Sequence, residues 1–155
     1  GVVYDPSRDE CFSAELGHGA TLNGEPIHVS PCFDLQKSLL TTGLPSSSEE
    51  NLDRNLALIH HLNMRAQGIR RLGSIAIALC YTACGRTDGH WDLASTAWDI
   101  AAATLIIKEA GGVVTSFAGE LEYFKPPYGL VACSPGINLE LMHALNGKQS
   151  ISANV

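Results

Sequence analysis

Trp98-Asp99-Ile100-Ala101-Ala102-Ala103-Thr104-Leu105-Ile106-Ile107-Lys108-Glu109-Ala110-Gly111-Gly112 spells a helix closed by a glycine pair. Ser95 or Thr96 is its cap, residues 97–110 its body, and Gly111 its stop. Asp99 falls in the first turn, where the helix dipole favours a carboxylate. Three alanines follow where a core helix normally presents larger side chains, so the start of the helix can lie close to another backbone. Asp99 is then either a capping acid alone or an acid that projects from the helix tip towards a cation. Asp92, seven residues earlier at the end of a brief strand over 90–93, is either a solvated loop acid or a partner of Asp99. Two such carboxylates could converge on one polyol or one metal, and spacing leaves both readings open.

Working back from that helix, Arg86-Thr87-Asp88-Gly89 makes a turn, and residues 75–84 form an apolar helix ended by Gly85. Gly73-Ser74 opens that helix after a strand near 69–72. Free N–H groups there, with no Cβ at Gly73, suit an anion or a hydroxyl, although a simple turn capped by Ser74 has the same sequence. Upstream, Leu52, Leu56, Ile59 and Leu62 set an amphipathic stripe. Overlapping capping boxes, Ser46 with Glu49 and Ser47 with Glu50, start it. Residues 39–42 read as a strand. Residues 1–30 read as β-structure: strands over 2–4, 11–15 and 27–29, with Asn23-Gly24 as a hairpin signal. Beyond the glycine pair come strands over 113–115 and 129–133, then a last helix over 138–145. Alternating strands and helices from Leu35 onward give a layered α/β domain.

The 155 residues carry 16 Asp and Glu against 10 Lys and Arg, a formal net charge of −6. That balance argues against nucleic acid or an anionic membrane as partner, since both need a basic footprint. No run of about 20 apolar residues marks a membrane span. The five cysteines are scattered and lack zinc-finger spacing. Cys80 and Cys84, four apart on one helix face, read as buried small hydrophobes in a reducing cytoplasm. The six histidines show no ligand spacing and read as surface or core residues. No nucleophile elbow, P-loop or dinucleotide-binding glycine pattern is present.

Five segments then point the same way. They are Gly1-Val-Val-Tyr-Asp-Pro, Gly17-x-Gly-Ala-x-Leu-Asn-Gly-x-Pro-Ile-x-Val-Ser30, Leu72-Gly-Ser74, Gly85-Arg-x-Asp-Gly89, and the Trp98-Asp99 helix closing in Glu109-Ala-Gly-Gly112. In order and approximate spacing they resemble the inositol monophosphatase family. The resemblance implies the αβαβα sugar-phosphatase fold. Residues 35–146 would be the carboxy-terminal α/β domain, residues 1–34 the last antiparallel strands of an amino-terminal α+β domain, and 147–155 a polar tail.

It also implies Mg²⁺-dependent hydrolysis of a small phosphate monoester, inositol monophosphate first. Histidinol phosphate, a 3′-phosphonucleotide, or a non-catalytic polyol-phosphate-binding module are the alternatives. Asp99 would be a Mg²⁺ ligand, Gly73, Ser74 and Ile75 would line the hydroxyl pocket, and Asp92 would accept hydrogen bonds from the polyol ring. Lithium inhibition, a homodimer and a cytoplasmic location belong to the same expectation. Three positions depart from the family pattern: Ile75 stands where Ala is common, Ala103 replaces a frequent Gly, and Asp92 is one methylene shorter than Glu. The family's Asp-Pro-x-Asp-Gly-Thr metal motif is missing, because Asp5-Pro6 runs on into Ser-Arg-Asp-Glu. The chain is thus expected to be the carboxy-terminal part of a phosphatase. It should be inactive alone, since one carboxylate cannot supply the several oxygens that each Mg²⁺ needs.

Overall fold

The computed structural model describes residues 1–45 and 48–147. Its strands are β1 (Val2–Asp5), β2 (Glu10–Ala14), β3 (Ala20–Leu22), β4 (Glu25–Pro26), β5 (Leu39–Thr42), β6 (Gly68–Arg70), β7 (Gly89–Asp92), β8 (Val113–Thr115) and β9 (Leu130–Cys133). Its helices are α1 (Glu49–Asn63), α2 (Ile75–Ala83), α3 (Ala97–Glu109) and α4 (Asn138–Asn146). No helix among the described residues is long and apolar enough to cross a membrane.

The first sheet runs β1-β2-β3-β4, antiparallel throughout. Asn23 and Gly24 form its tightest turn with φ of 51° and 86°, the positive values that a two-residue hairpin of right-handed strands requires. The strand expected over 27–29 is absent. The residue pairing ends at Pro26, and one further bond, from the Ile27 N–H to the Ala20 carbonyl at 3.0 Å, is the last contact with β3. The chain instead crosses to α3, where the Val29 N–H donates to the Ala110 carbonyl at 3.1 Å. At the same end of α3, Glu109 accepts the N–H groups of Gly17 and Gly19 at 3.0 and 2.9 Å. Those N–H groups hold the acid below its ordinary range. The glutamate of the Glu-Ala-Gly-Gly ending therefore ties the first sheet to α3.

The second sheet has the order β6-β5-β7-β9-β8. Strand β5 is parallel to β6 and β7, while β9 is antiparallel to β7 and β8. Helices α2 and α3 lie between the two sheets, and Phe12, Leu79, Ile100, Ile106 and Leu130 close that layer. On the far side Trp91 packs with Leu58, Leu62, Leu141 and Leu145 of α1 and α4. The alanines of α3 do bring backbones close: a Cβ on Gly1 would stand 2.9 Å from the Ala102 carbonyl.

Helix α1 differs from its expected face. Ser48 caps it, accepting the Asn51 N–H at 3.2 Å, whereas the boxes at Ser46 and Ser47 lie outside the described residues. The buried residues are Asn55, Leu58 and Leu62, while Leu56 is 48% exposed. Asn55 causes the rotation. Its amide bonds the Trp91 Nε1–H at 2.7 Å and the Gly43 carbonyl at 2.6 Å, which draws a polar residue into the core. Replacing Asn55 with Leu should lower unfolding stability in a urea titration by about 3 kcal/mol, because it strands two buried polar groups. A loss below about 0.5 kcal/mol would show that Asn55 does not set the face of α1.

Candidate functional site

Strands β5 and β7 are parallel, so their carboxy-terminal ends come out side by side, the usual place for a ligand in an open α/β sheet. A cleft of about 220 Å³ opens there against the start of α2. Gly43, Gly73, Ser74, Ile75, His90 and Asp92 all line it. Gly73 has φ of 86°, a conformation that strains any residue with a Cβ, and it turns the chain from Leu72 into α2. Ser74 is the α2 cap, its Oγ accepting the Ile77 N–H at 3.3 Å. Ile75 is the first helical residue, one of the positions whose N–H has no partner within its own helix. The exposed cation Arg71 stands at the rim.

Asp92 is not a solvated loop acid. It is 4% exposed, with Oδ1 accepting the Ala94 N–H at 3.1 Å. Its Oδ2 lies where a Cβ on Gly43 would come within 2.2 Å, so the missing side chain at Gly43 makes room for the carboxylate. Burial pushes the acid up to about 6. The Ala94 N–H opposes that rise, and the charge of Asp99 adds to it.

Asp99 does not line the cleft, but its charge reaches Asp92. Its Oδ2 accepts both the Thr96 N–H, at 3.2 Å, and the Thr96 hydroxyl. It therefore caps α3, and its Oδ1 accepts no hydrogen bond among the described residues. Thr96, rather than Ser95, is the cap.

The folded value of Asp92 lies above its unfolded value of 3.8, so the native state keeps its proton longer. That preference stabilises fully below the unfolded value and is lost as pH rises through about 6. In EDTA at pH 8, Asp92→Asn should be more stable than the parent by about 3 kcal/mol, two pKa units at about 1.4 kcal/mol each. The gap should close by about pH 4. Equal denaturation curves at pH 8 would mean that Asp92 is not desolvated.

His90 was not singled out by sequence. It is two residues from Asp92 on one strand, which puts both side chains on one face of β7. Its ring is 1% exposed, Nδ1 lies 2.9 Å from the Thr41 hydroxyl, and Nε2 has no partner. Burial pulls its pKa down to about 3, which keeps the imidazole neutral. The cysteines offer no chemistry at this place: Cys80 and Cys133 are buried, and their thiols are pushed up to about 12.

No group of three or more His, Cys, Asp or Glu side chains among the described residues gathers as a metal site would. Asp99 alone would fit one edge of such a site, with Asp92 beside it. Asp99 keeps one oxygen free, and its charge raises the Asp92 acid, a repulsion that a cation would relieve.

A sequence profile described as the inositol monophosphatase family matches residues 1–150. The chain belongs to that family. It is 41% identical over 145 residues to Nus factor SuhB of Pasteurella multocida, covering 94% of this chain and 54% of that protein. It is 47% identical over 117 residues to the inositol-1-monophosphatase of Synechocystis, covering 76% and 41%. The solved structure of inositol monophosphatase from Anabaena superposes with a TM-score of 0.89 at 41% identity, over 94% of this chain and 57% of that one. The inositol monophosphatase from Thermotoga maritima gives 0.83 at 34%, over 95% and 55%. The α/β fold, with two sheets and four α-helices among the described residues, is thus that of inositol monophosphatases. The chain spans about half the length of the curated relatives it matches.

Proposed function

We propose that the cleft binds the polyol of a phosphate monoester, inositol monophosphate first, as the carboxy-terminal part of a Mg²⁺-dependent phosphatase. The observation that carries this reading is the convergence of Asp92 and the Gly73–Ser74–Ile75 helix start on one cleft, with Asp99 close enough to act on Asp92. Asp92 accepts hydrogen bonds from ring hydroxyls, and the start of α2 donates to the ring or its ester oxygen. The free oxygen of Asp99 holds one edge of the cation. When bound, Mg²⁺ supplies charge neutralisation at the phosphoryl group and an activated water. The remaining ligands belong to the family's Asp-Pro-x-Asp-Gly-Thr motif, which is not among these residues, so the chain alone is inactive.

The test is to join the chain to the amino-terminal half of the Synechocystis relative and follow phosphate release from myo-inositol 1-phosphate. Release is expected with Mg²⁺ and not with EDTA, and none is expected from the 155 residues alone. A joined protein that folds and releases no phosphate would overturn the reading. A second reading, a factor that does not act by catalysis, is favoured by the name Nus factor carried by the Pasteurella relative. That outcome is the one in which the joined protein stays inactive.

A further inference from the structure

Among the described residues, His90 Nε2 is the buried side-chain nitrogen or oxygen left without a hydrogen-bond partner. Buried polar atoms are rarely left so, and an orphan in the wall of a cleft is a place for a ligand atom. The imidazole lines the same cleft as Asp92, from the same face of β7. On its other side Thr41 fixes the ring, with the Thr41 hydroxyl 2.9 Å from Nδ1 and 3.2 Å from the Gly89 carbonyl.

We propose that His90 is a specificity-determining residue, its Nε2 hydrogen-bonding a ring hydroxyl next to the one that Asp92 receives. This rests on reading the cleft as a polyol site. The chemistry singles out a hydroxyl. If the Thr41 proton goes to Gly89, Nδ1 donates to Thr41 and Nε2 is a bare acceptor. If that proton goes to Nδ1, Nε2 carries the hydrogen and donates. A hydroxyl satisfies either form, whereas a phosphate oxygen satisfies only the second. The neutral ring also gives a phosphate no charge to pair with. The site thus selects a substrate with at least two neighbouring free hydroxyls, one for Asp92 and one for His90.

The test is nitrogen-15 NMR on the 155-residue chain, with myo-inositol 1-phosphate and phenyl phosphate as probes. The first probe should move the His90 Nε2 signal together with the Ser74, Ile75 and Asp92 amides, and phenyl phosphate should leave Nε2 in place. His90→Phe should raise the Kd for myo-inositol 1-phosphate about tenfold, the loss of one hydrogen bond in a dry site, and leave that for phenyl phosphate unchanged. Cleft amides that move while Nε2 stays fixed would mean a buried water satisfies His90, which overturns this inference and spares the polyol reading. Equal loss for both probes in His90→Phe, with native-like spectra, would assign a packing role and also overturn it. If neither the amides nor Nε2 respond, the polyol reading falls, and this inference with it.

Discussion

Asp99→Asn, introduced into the chain joined to an amino-terminal half, is expected to lower Mg²⁺-dependent phosphate release by about 10²–10³-fold, as for loss of one charged group facing a transferring phosphate. The substitution keeps the oxygen that accepts the Thr96 N–H at 3.2 Å, so the cap of α3 survives. Its structural cost is limited to the helix-dipole contribution, about 0.3–1 kcal/mol. Activity and stability should therefore separate: a large fall in turnover beside a near-parental denaturation midpoint. The Mg²⁺ concentration needed for half-maximal rate should rise as well. Near-parental turnover in Asp99→Asn would remove the acid from the reaction and leave only its capping role.

The second large effect is expected at Gly43. An alanine there would place its Cβ 2.2 Å from Asp92 Oδ2, closer than any real contact. The carboxylate cannot swing away freely, because its other oxygen accepts the Ala94 N–H. Gly43→Ala should cost about 2 kcal/mol in urea denaturation, as overpacking of a buried site does. In an Asp92→Ala background the same change should cost less than about 0.5 kcal/mol, since the obstructing group is gone. In the joined enzyme it should also raise the KM for myo-inositol 1-phosphate about tenfold, because the displaced carboxylate no longer meets the ring. Equal costs in the two backgrounds would show that the strain lies in the backbone around Gly43 and not at Asp92.

These two sites differ in how far sequence could reveal them. The Trp98–Gly112 stretch carries its own punctuation, an acid in the first turn and a glycine pair at the end, and α3 formed where that predicts. Asn23-Gly24 did the same for the hairpin. Such signals are local, so a single stretch states them. The face of α1 was misread because Asn55 is buried by a bond to Trp91, thirty-six residues away, which no periodicity contains. The strand over 27–29 was misread because those residues have the right composition, but only the Ile27 N–H reaches β3, on the Ala20 carbonyl, and the Val29 N–H goes to the end of α3. The burial of Asp92 was equally hidden: an acid at a strand end looks solvated until Gly43 and the start of α2 close over it. His90 gave one usable clue, its place two residues before Asp92 on one strand. What made it notable, the unpartnered Nε2, exists only in three dimensions.

The central claim is that the helix-tip acid and the cleft acid serve one cation and one polyol. It is tested most directly by a crystal structure of the joined protein with Mn²⁺ and myo-inositol 1-phosphate. The anomalous signal of Mn²⁺ should fall beside the free oxygen of Asp99, at about 2.2 Å, with a ring hydroxyl on Asp92. Mn²⁺ bound away from Asp99, with the inositol ring outside the cleft, would contradict it.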